Sequence, residues 1–424
     1  MIKTPGCIVP EFFIPFQYPH FPSLPPNFFV FLSLTKFCPF CKKISQPHKK
    51  MSKKIAILCS GLDNVMRGYE THCRTFFDCL KEENIPDTEF ILFKRQGEKK
   101  KNEVVLKVPY RSNFLCQYLA RFRGDLLYWE YLFFAIRFLI HCFIFRKKFE
   151  TISAIEPMVA KTIFKFRKLL PGNPKIVFTH GVWNQPIDNI NNADVFHEVS
   201  IENYNAMKSY VEQYHLNKEV VLLPHFLSDA ALPVYDKAQL RKQFGITTPN
   251  VLLSVGAINR AHKRMDYLIA EAAKLPGDWT LVVCGAARGK EGDIVLNMGK
   301  EKMGSRFIHL FIQREEISKI YALADVFVLA STQEGFGIVT LEAMQSGLPV
   351  LLHNNELFRW ILKQPDCCIN MEKENELYEK LRDCANDPQW LTEKSVLNKK
   401  IFNENYKWSG VRRQYLDLLL SPRK

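Results

Sequence analysis

The chain has 424 residues, more than one ordinary hydrophobic core, and this predicts two domains of about 150–200 residues each. Its 47% apolar and 24% charged residues are typical of a soluble globular protein and exclude a fibrous or wholly disordered one. A formal net charge of +14 favours an anionic partner, which could be nucleic acid, an anionic membrane surface or a phosphorylated ligand. Composition does not choose among these three.

The first fifty residues differ from the rest of the chain. They hold nine of the 23 prolines and nine of the 33 phenylalanines, without helical or alternating periodicity. Prolines interrupt the apolar stretches, so the segment is a poor signal peptide. The composition changes at Met51, and an apolar run typical of a β-strand follows. We expect residues 1–50 to be disordered or a misassigned extension, with Met51 as the functional start.

The twelve cysteines lack the dense, regular spacing of a disulfide framework, which indicates a reducing compartment. One close pair, CPFC at 38–41, has neither a second CxxC nor a nearby His partner. Unpaired thiols therefore fit this pair better than a zinc or redox site.

A long apolar segment, LLYWEYLFFAIRFLIHCFIF at 126–145, has transmembrane length but contains Glu130, Arg137 and His141. On a helix these positions and Lys148 fall within about 40° of one another, so a narrow polar stripe is predicted. A spanning helix rarely carries such charges. The sequence favours a mostly buried helix with one solvent-exposed edge. The alternative is a helix partly inserted into a membrane surface.

A basic run precedes this segment. Residues 94–123 hold nine Lys/Arg against Glu98 and Glu103. Runs of like charge are usually solvated surfaces, but beside an apolar helix this one strengthens the case for anionic lipid. The nine are Lys94, Arg95, Lys99, Lys100, Lys101, Lys107, Arg111, Arg121 and Arg123.

From residue 51 onward, apolar β-branched runs alternate with helical stretches, which predicts two doubly wound parallel sheets of α/β class. The polar stretch 228–250 is the predicted seam, so the domains are residues 51–227 and 228–405, with 406–424 as a closing helix. Ligands are expected at the carboxyl ends of the strands. The predicted strands are 54–60, 89–93, 151–155, 175–180, 195–200, 220–226, 251–256, 279–285, 307–311, 325–330 and 349–353.

The stretch STQEGFGIVTLEAMQSGLPV at 331–350 carries the sharpest signal. It predicts a glycine loop after a buried strand and a helix from Ile338 to Ser346. Gly335 and Gly337 let backbone N–H groups approach an anion at the helix start. Two carboxylates, Glu334 and Glu342, flank this cradle and accept hydrogen bonds from hydroxyls. A ligand that is part phosphate and part polyol fits this arrangement.

The run E-G-F-G-I-x-x-L-E-A-M-x-x-G-L-P-V resembles the signature of family 4 (group 1) glycosyltransferases, retaining enzymes of GT-B fold. Its E-x7-E pairing is matched by Glu334 and Glu342. Residues 51–420 follow the family's order of elements. The resemblance implies two Rossmann-like domains facing across a cleft, with a C-terminal helix crossing back to the first.

Other landmarks of the family occur in order. RGYETH at 67–72 resembles its Gly-Gly-x-Glu loop and implies an acceptor-side role for Gly68 and Glu70, although Arg67 replaces the first glycine. FTHGVW resembles its Thr-x-His segment and implies that His180 lies by the transferred sugar. VGAINRAHKRMDYLI at 255–269 resembles the turn that clamps the donor diphosphate.

The resemblance also implies residue roles. Lys263 matches the family's diphosphate lysine, while Ala257 stands where its arginine is usual, so Arg260 is the candidate replacement. Glu342 would bind the ribose, and Glu334 with the backbone of Gly335, Phe336, Gly337 and Ile338 would hold the sugar and distal phosphate. His262 and His353 are interpreted as structural. No cofactor and no metal are expected, because there is no Asp-x-Asp motif and the cations can neutralise the diphosphate.

The expected activity is transfer of a hexose-type sugar from a nucleotide-diphosphate sugar to a hydroxyl of a glycan or lipid-linked acceptor, with retention. The expected location is cytoplasmic, with peripheral attachment at the inner membrane face left open. Two alternatives remain: a non-catalytic nucleotide-sugar or membrane-binding protein, and a sugar-nucleotide epimerase. Nucleic acid is not an expected partner, because no recognition motif accompanies the charge.

Overall fold

The computed structural model describes residues 52–63, 68–122, 125–181 and 186–423. The predictions about residues 1–50, Met51, the CPFC pair and Arg67 lie outside the described residues. The nine cysteines within the described ranges are buried free thiols.

The first half of the chain folds into a seven-stranded parallel sheet in the order β3-β2-β1-β4-β5-β6-β7. Its strands are β1 (Lys53–Leu58), β2 (Thr88–Lys94), β3 (Glu103–Val105), β4 (Thr151–Ala154), β5 (Lys175–His180), β6 (Val195–Glu198) and β7 (Glu219–Leu222). The helices of this half are α1 (Gly68–Glu82), α2 (Phe114–Ala120), α3 (Leu126–Ile144), α4 (Pro157–Phe166) and α5 (Ile201–Gln213).

The second half forms a six-stranded parallel sheet in the order β10-β9-β8-β11-β12-β13. Its strands are β8 (Asn250–Val255), β9 (Trp279–Cys284), β10 (Phe307–Leu310), β11 (Val326–Leu329), β12 (Val350–His353) and β13 (Cys368–Ile369). The remaining helices are α6 (Lys237–Gln243), α7 (Met265–Ala272), α8 (Gly289–Met303), α9 (Ile317–Ala322), α10 (Ile338–Gln345), α11 (Glu356–Leu362), α12 (Glu376–Ala385), α13 (Pro388–Asn405) and α14 (Trp408–Leu420).

The central strands are buried on both faces, as continuous apolar runs require. Every residue of β9 and β11 is buried, and helices on either side of each sheet complete separate apolar cores. The predicted α/β class with two doubly wound sheets is therefore confirmed. The residue boundaries of the domains stay a prediction, although β7 and β8 do flank the predicted seam.

The closing helix returns to the first sheet, as predicted. Trp408, Val411 and Tyr415 of α14 are buried in the same core as Ile55 and Phe77 of the first domain. The chain is pinned where it crosses between domains, because Trp408 N donates to the Leu227 carbonyl at 2.9 Å.

Helix α3 corrects the prediction of a mostly buried helix with a wet polar edge. Five of its 19 residues are buried, and Glu130 is one of them at 1% exposure. Glu130 is enclosed because Arg111 Nε lies 3.2 Å and Arg95 Nε 3.6 Å from its carboxylate. By length and composition α3 could cross a membrane.

Candidate active site

The predicted site residues of the second domain lie after the strand carboxyl ends, where an open parallel sheet binds ligands. Most are on loops, and Ile338 and Glu342 are on α10. The Gly335–Gly337 loop joins β11 to α10. Gly337 precedes the helix at φ +82°, a conformation that glycine adopts without strain. The helix therefore begins directly at the loop, with its first backbone N–H groups unpaired within the helix.

The Phe336 side chain anchors this loop to the interior of the protein. Its side chain is buried and packs against His225, Trp360 and Tyr406, with ring centroids 5.1, 6.3 and 6.5 Å away. Its backbone, rather than its ring, is thus the part available to a ligand. The ligand-binding role expected for the backbone of residues 335–338 stays a prediction.

Glu334 and Lys263 form an ion pair between two loops of the second domain. His262 Nε2 lies 3.6 Å from the other oxygen of the same carboxylate. Burial by itself would raise the pKa of Glu334, but the hydrogen bond from His262 and the charge of Lys263 outweigh it and lower the pKa to about 2. His262, which the sequence analysis interprets as structural, thus contacts a predicted site residue.

The Lys263 loop has a compact internal frame. Asn259 Oδ1 accepts from the backbone N–H of His262 at 3.1 Å and of Lys263 at 2.7 Å. The Lys263 side chain runs over Gly256, where an added β-carbon would lie 3.1 Å from Lys263 Cε. Because Gly256 has no side chain, the Lys263 side chain has room to reach Glu334.

Arg260 lies on the outer part of the same loop and is exposed. Its backbone N–H donates to Glu291 Oε1 at 2.9 Å, so the first turn of α8 holds the loop in place. Glu291 was not found from the sequence. The proposed diphosphate role of Arg260 stays a prediction.

Glu342 projects from α10 into a second polar cluster. One carboxylate oxygen pairs with Arg314, and the other accepts from Tyr321 Oη at 2.7 Å. Arg314 follows β10, and the charge of Glu342 outweighs burial to raise the Arg314 pKa. Each carboxylate oxygen keeps a second lone pair, so a ribose hydroxyl remains a chemically suitable further donor.

Arg314 was missed as a site residue. It lies after β10 and meets Glu342 across 28 residues of sequence, so no local motif marks it.

The first domain also contributes residues next to the candidate site. A β-carbon added at Gly68 would lie 3.6 Å from Ile338 Cδ1, so the start of α1 stands opposite the start of α10. Glu70 is buried in the first turn of α1, where the helix dipole favours a carboxylate. The structure therefore brings Gly68 of the first domain close to the Ile338 side chain of the second.

His180 ends β5 and is fully buried, and its Nδ1 lies 2.8 Å from Glu198 Oε2. Parallel pairing of β5 with β6 puts the two residues in register. Asn203 Nδ2 lies 3.4 Å from the same nitrogen. A carboxylate on Nδ1 fixes that nitrogen as the protonated one and orients the ring. Glu198 was missed, because its partner is set by sheet register and not by sequence spacing.

Three further histidines, His72, His197 and His225, lie buried near the seam. Desolvation lowers the pKa of His72 to about 3 and that of His197 to about 4, and it also lowers that of His225. His353 accepts the backbone N–H of Met371 at 3.2 Å, in agreement with its structural interpretation. In the described ranges there is no group of three or more His, Cys, Asp or Glu side chains arranged to hold a metal.

Polar contacts also join the domains beside the cleft. Asn205 Nδ2 of α5 donates to Glu356 Oε1 of α11 at 3.1 Å, and the Leu357 N–H donates to Glu202 Oε1 at 3.3 Å. The start of α11 is thus held by the first domain.

Two facing doubly wound domains and a returning C-terminal helix are the features of the GT-B fold. Solved structures agree on the fold. Sucrose-phosphate synthase from Thermosynechococcus elongatus has a TM-score of 0.69 at 18% identity, covering 86% of this chain and 98% of its own. Anabaena HepE in complex with UDP-glucose has a TM-score of 0.68 at 16% identity, covering 87% and 99%.

Residues 236–400 match the family described as glycosyl transferases group 1. D-inositol 3-phosphate glycosyltransferase of Corynebacterium aurimucosum is 28% identical over 176 residues, 38% of this chain and 41% of that protein. Lipopolysaccharide glucosyltransferase WaaG of Escherichia coli is 36% identical over 107 residues, 24% and 27%. The matches thus span about two fifths or less of these relatives' length.

Proposed function

We propose that the chain is a retaining, family 4 glycosyltransferase that moves a hexose-type sugar from a nucleotide-diphosphate sugar to a hydroxyl. One observation carries the proposal: Lys263 is held against Glu334 beside the N-terminus of α10, opposite Gly68. A cation, a run of backbone donors and a carboxylate together suit a ligand with a diphosphate at one end and hydroxyls at the other.

The ion pair suggests how the donor would be bound. A diphosphate would compete with Glu334 for Lys263, because two phosphate charges attract the ammonium more strongly than one carboxylate. Glu334 would then accept hydrogen bonds from the sugar hydroxyls. Glu342, oriented by Arg314 and Tyr321, would accept from the ribose. Arg260, on the exposed part of the loop, would add a second positive charge.

The reaction breaks the bond between the anomeric carbon and the phosphate oxygen. The acceptor oxygen bonds to the same face of that carbon, and its proton passes to the leaving phosphate. Lys263 stabilises the charge that develops there, which is the main electrostatic task. His180, held by Glu198, would lie by the sugar and the acceptor hydroxyl. No cofactor or metal is assigned a step, since the lysine and arginine carry the charge.

The acceptor side is proposed more broadly, as a hydroxyl of a glycan or of a lipid-linked acceptor used in polysaccharide or glycolipid synthesis. Gly68 and Glu70 lie on this side. Such an acceptor suits a cytoplasmic enzyme working at the inner face of the membrane.

A donor panel tests the proposal. The full chain is incubated with UDP-, GDP- and ADP-sugars, with and without a hydroxyl acceptor, and release of the nucleoside diphosphate is measured. We expect turnover with one nucleotide, and Lys263→Ala and Glu334→Ala should each lower kcat/KM by roughly a hundredfold or more.

The matched control is Lys302→Ala, because Lys302 is exposed near the far end of α8, away from the strand carboxyl ends. Full activity of a folded Lys263→Ala variant would overturn the site assignment. Binding without turnover would favour the non-catalytic alternative. A new nucleotide sugar formed without acceptor would favour the epimerase.

A further inference from the structure

Exposed apolar side chains are concentrated on two consecutive helices of the first domain. Among the described residues, nine of the eighteen large apolar side chains that are exposed lie between positions 114 and 145. Phe114 is 77% exposed and Phe143 is 72% exposed. We call this set the α2–α3 apolar face: Phe114, Leu115, Tyr118, Phe122, Ile136, Ile140, Phe143, Ile144 and Phe145.

Helix α3 is apolar on two opposite sides. Its buried side chains Phe134, Phe138 and Cys142 belong to the core of the first domain. Its exposed residues Ile136, Ile140, Phe143 and Ile144 fall within about 100° of arc on the other side. The core explains the inner side, and only the outer side needs a partner. An exposed apolar patch of this kind marks an interaction surface.

The charge around this face has one sign. Residues 104–149 contain eight Lys/Arg and two carboxylates. Glu130 is turned inward against Arg95 and Arg111, and Asp125 caps α3 by accepting from the Leu127 N–H at 2.9 Å. Arg121, Arg137 and Arg146 are exposed on or next to the same two helices. The outward surface is therefore apolar and cationic.

The exposed apolar and cationic side chains argue against two alternatives: a membrane-spanning α3, and a second copy of the chain bound face to face. A spanning helix would have to pull Phe134, Phe138 and the Glu130 ion pair out of the domain core, at a large cost. A second copy bound face to face would bring two sets of arginines together, and like charges across an interface are unfavourable. A bilayer with anionic headgroups matches both the charge and the apolar side chains.

We propose that the α2–α3 apolar face docks the protein onto an anionic membrane surface, with the aromatic side chains inserted among the lipids and the arginines on the headgroups. This surface is separate from the Glu334 and Lys263 loops, so the proposal does not depend on the transfer activity. A lipid-linked acceptor would give such docking a purpose.

Vesicle flotation of the full chain tests the proposal. The vesicles contain phosphatidylcholine alone or with about a quarter phosphatidylglycerol. We expect binding to the anionic vesicles that weakens with added salt. Arg121→Gln with Arg137→Gln should lower the partition constant about 25-fold. Phe114→Ser, Phe143→Ser and Phe145→Ser together should lower it roughly tenfold or more.

The control combines Val234→Ser, Ile294→Ser and Val396→Ser, which remove exposed apolar residues outside the first domain and should leave binding unchanged. Circular dichroism and urea unfolding of each variant report that the fold is intact. Equal binding by all variants, or none by the wild type, overturns the proposal. A dimer in light scattering that the phenylalanine variant abolishes would assign the face to a second copy and also overturn it.

Discussion

Glu334 is a carboxylate whose ionised state is stabilised by its neighbours, and this has a consequence for stability. Its pKa is lowered to about 2 in the folded chain, so its contribution is fully present above the unfolded pKa and is lost as pH falls toward 2. The free-energy difference between wild type and Glu334→Gln should therefore shrink by about 0.6 kcal/mol between pH 7 and pH 4. Urea unfolding at the two pH values measures it.

Glu374→Gln is the control, because that side chain is 80% exposed and an exposed ion pair contributes little to the free energy of unfolding. A Glu334 difference that does not change with pH would show that the Lys263 and His262 contacts do not stabilise its charge.

Glu198 is a positioning residue that acts through His180. Glu198→Gln removes the negative charge while keeping the size of the side chain, so kcat for transfer should fall by roughly ten- to a hundredfold. The donor KM should change little, because Glu198 is buried behind the histidine. The decisive measurement is a double-mutant cycle: with His180→Ala already present, Glu198→Gln should have almost no further effect. Additive losses would mean that Glu198 acts on its own.

At the scale of single elements, the β11–α10 loop depends on one buried ring. Phe336→Ala should lower the free energy of unfolding by about 3–5 kcal/mol, since it leaves a cavity among His225, Trp360 and Tyr406. Phe336→Leu should cost less than about 1.5 kcal/mol and retain donor binding. Denaturant unfolding of both variants checks this, and a loss below about 1 kcal/mol for the alanine would contradict the anchoring role.

The strands were predictable because parallel strands buried on both faces are read as apolar runs. All eleven predicted runs coincide with strands of the structure, and β5 is matched at both ends. The two missed strands, β3 and β13, have three and two residues. β3 begins with Glu103, a charge satisfied by Lys94 at 2.7 Å, and such a pairing leaves no local pattern.

The residues of the candidate site also fall into two groups, those that the sequence predicts and those that it does not. Glu334, Glu342 and Lys263 carry a local motif and could be found from the sequence. Glu198, Arg314 and Glu291 reach their partners only through sheet register or loop packing, over separations of 18 to 31 residues. Helix α3 was misjudged because periodicity shows that a helix has a polar stripe but not which way that stripe faces.

At the scale of the whole molecule, the chain crosses between domains twice at one place, and the two crossings are hydrogen-bonded to each other. Leu227 N donates to the Tyr406 carbonyl at 2.9 Å, and Trp408 N donates to the Leu227 carbonyl at 2.9 Å. Tyr406 is buried in the core of the second domain, and Trp408 in that of the first. A single residue, Lys407, thus separates anchors in different cores, so any movement of one domain relative to the other must pivot here.

Trp408 should therefore couple the stability of the two domains. Trp408→Ala should remove about 3–5 kcal/mol, because its ring packs among Phe76, Phe226 and Tyr415. We expect the loss to fall on the first domain, so that one calorimetric transition separates into two. Hydrogen exchange should speed up in β1 and β4 while β8 and β11 stay protected.

Trp408→Phe keeps most of the packing and loses the bond from Nε1 to Glu83 at 2.7 Å, so it should cost only about 1 kcal/mol beyond the lost area. Equal acceleration of exchange in both sheets would show instead that α14 stabilises the molecule as a single cooperative unit.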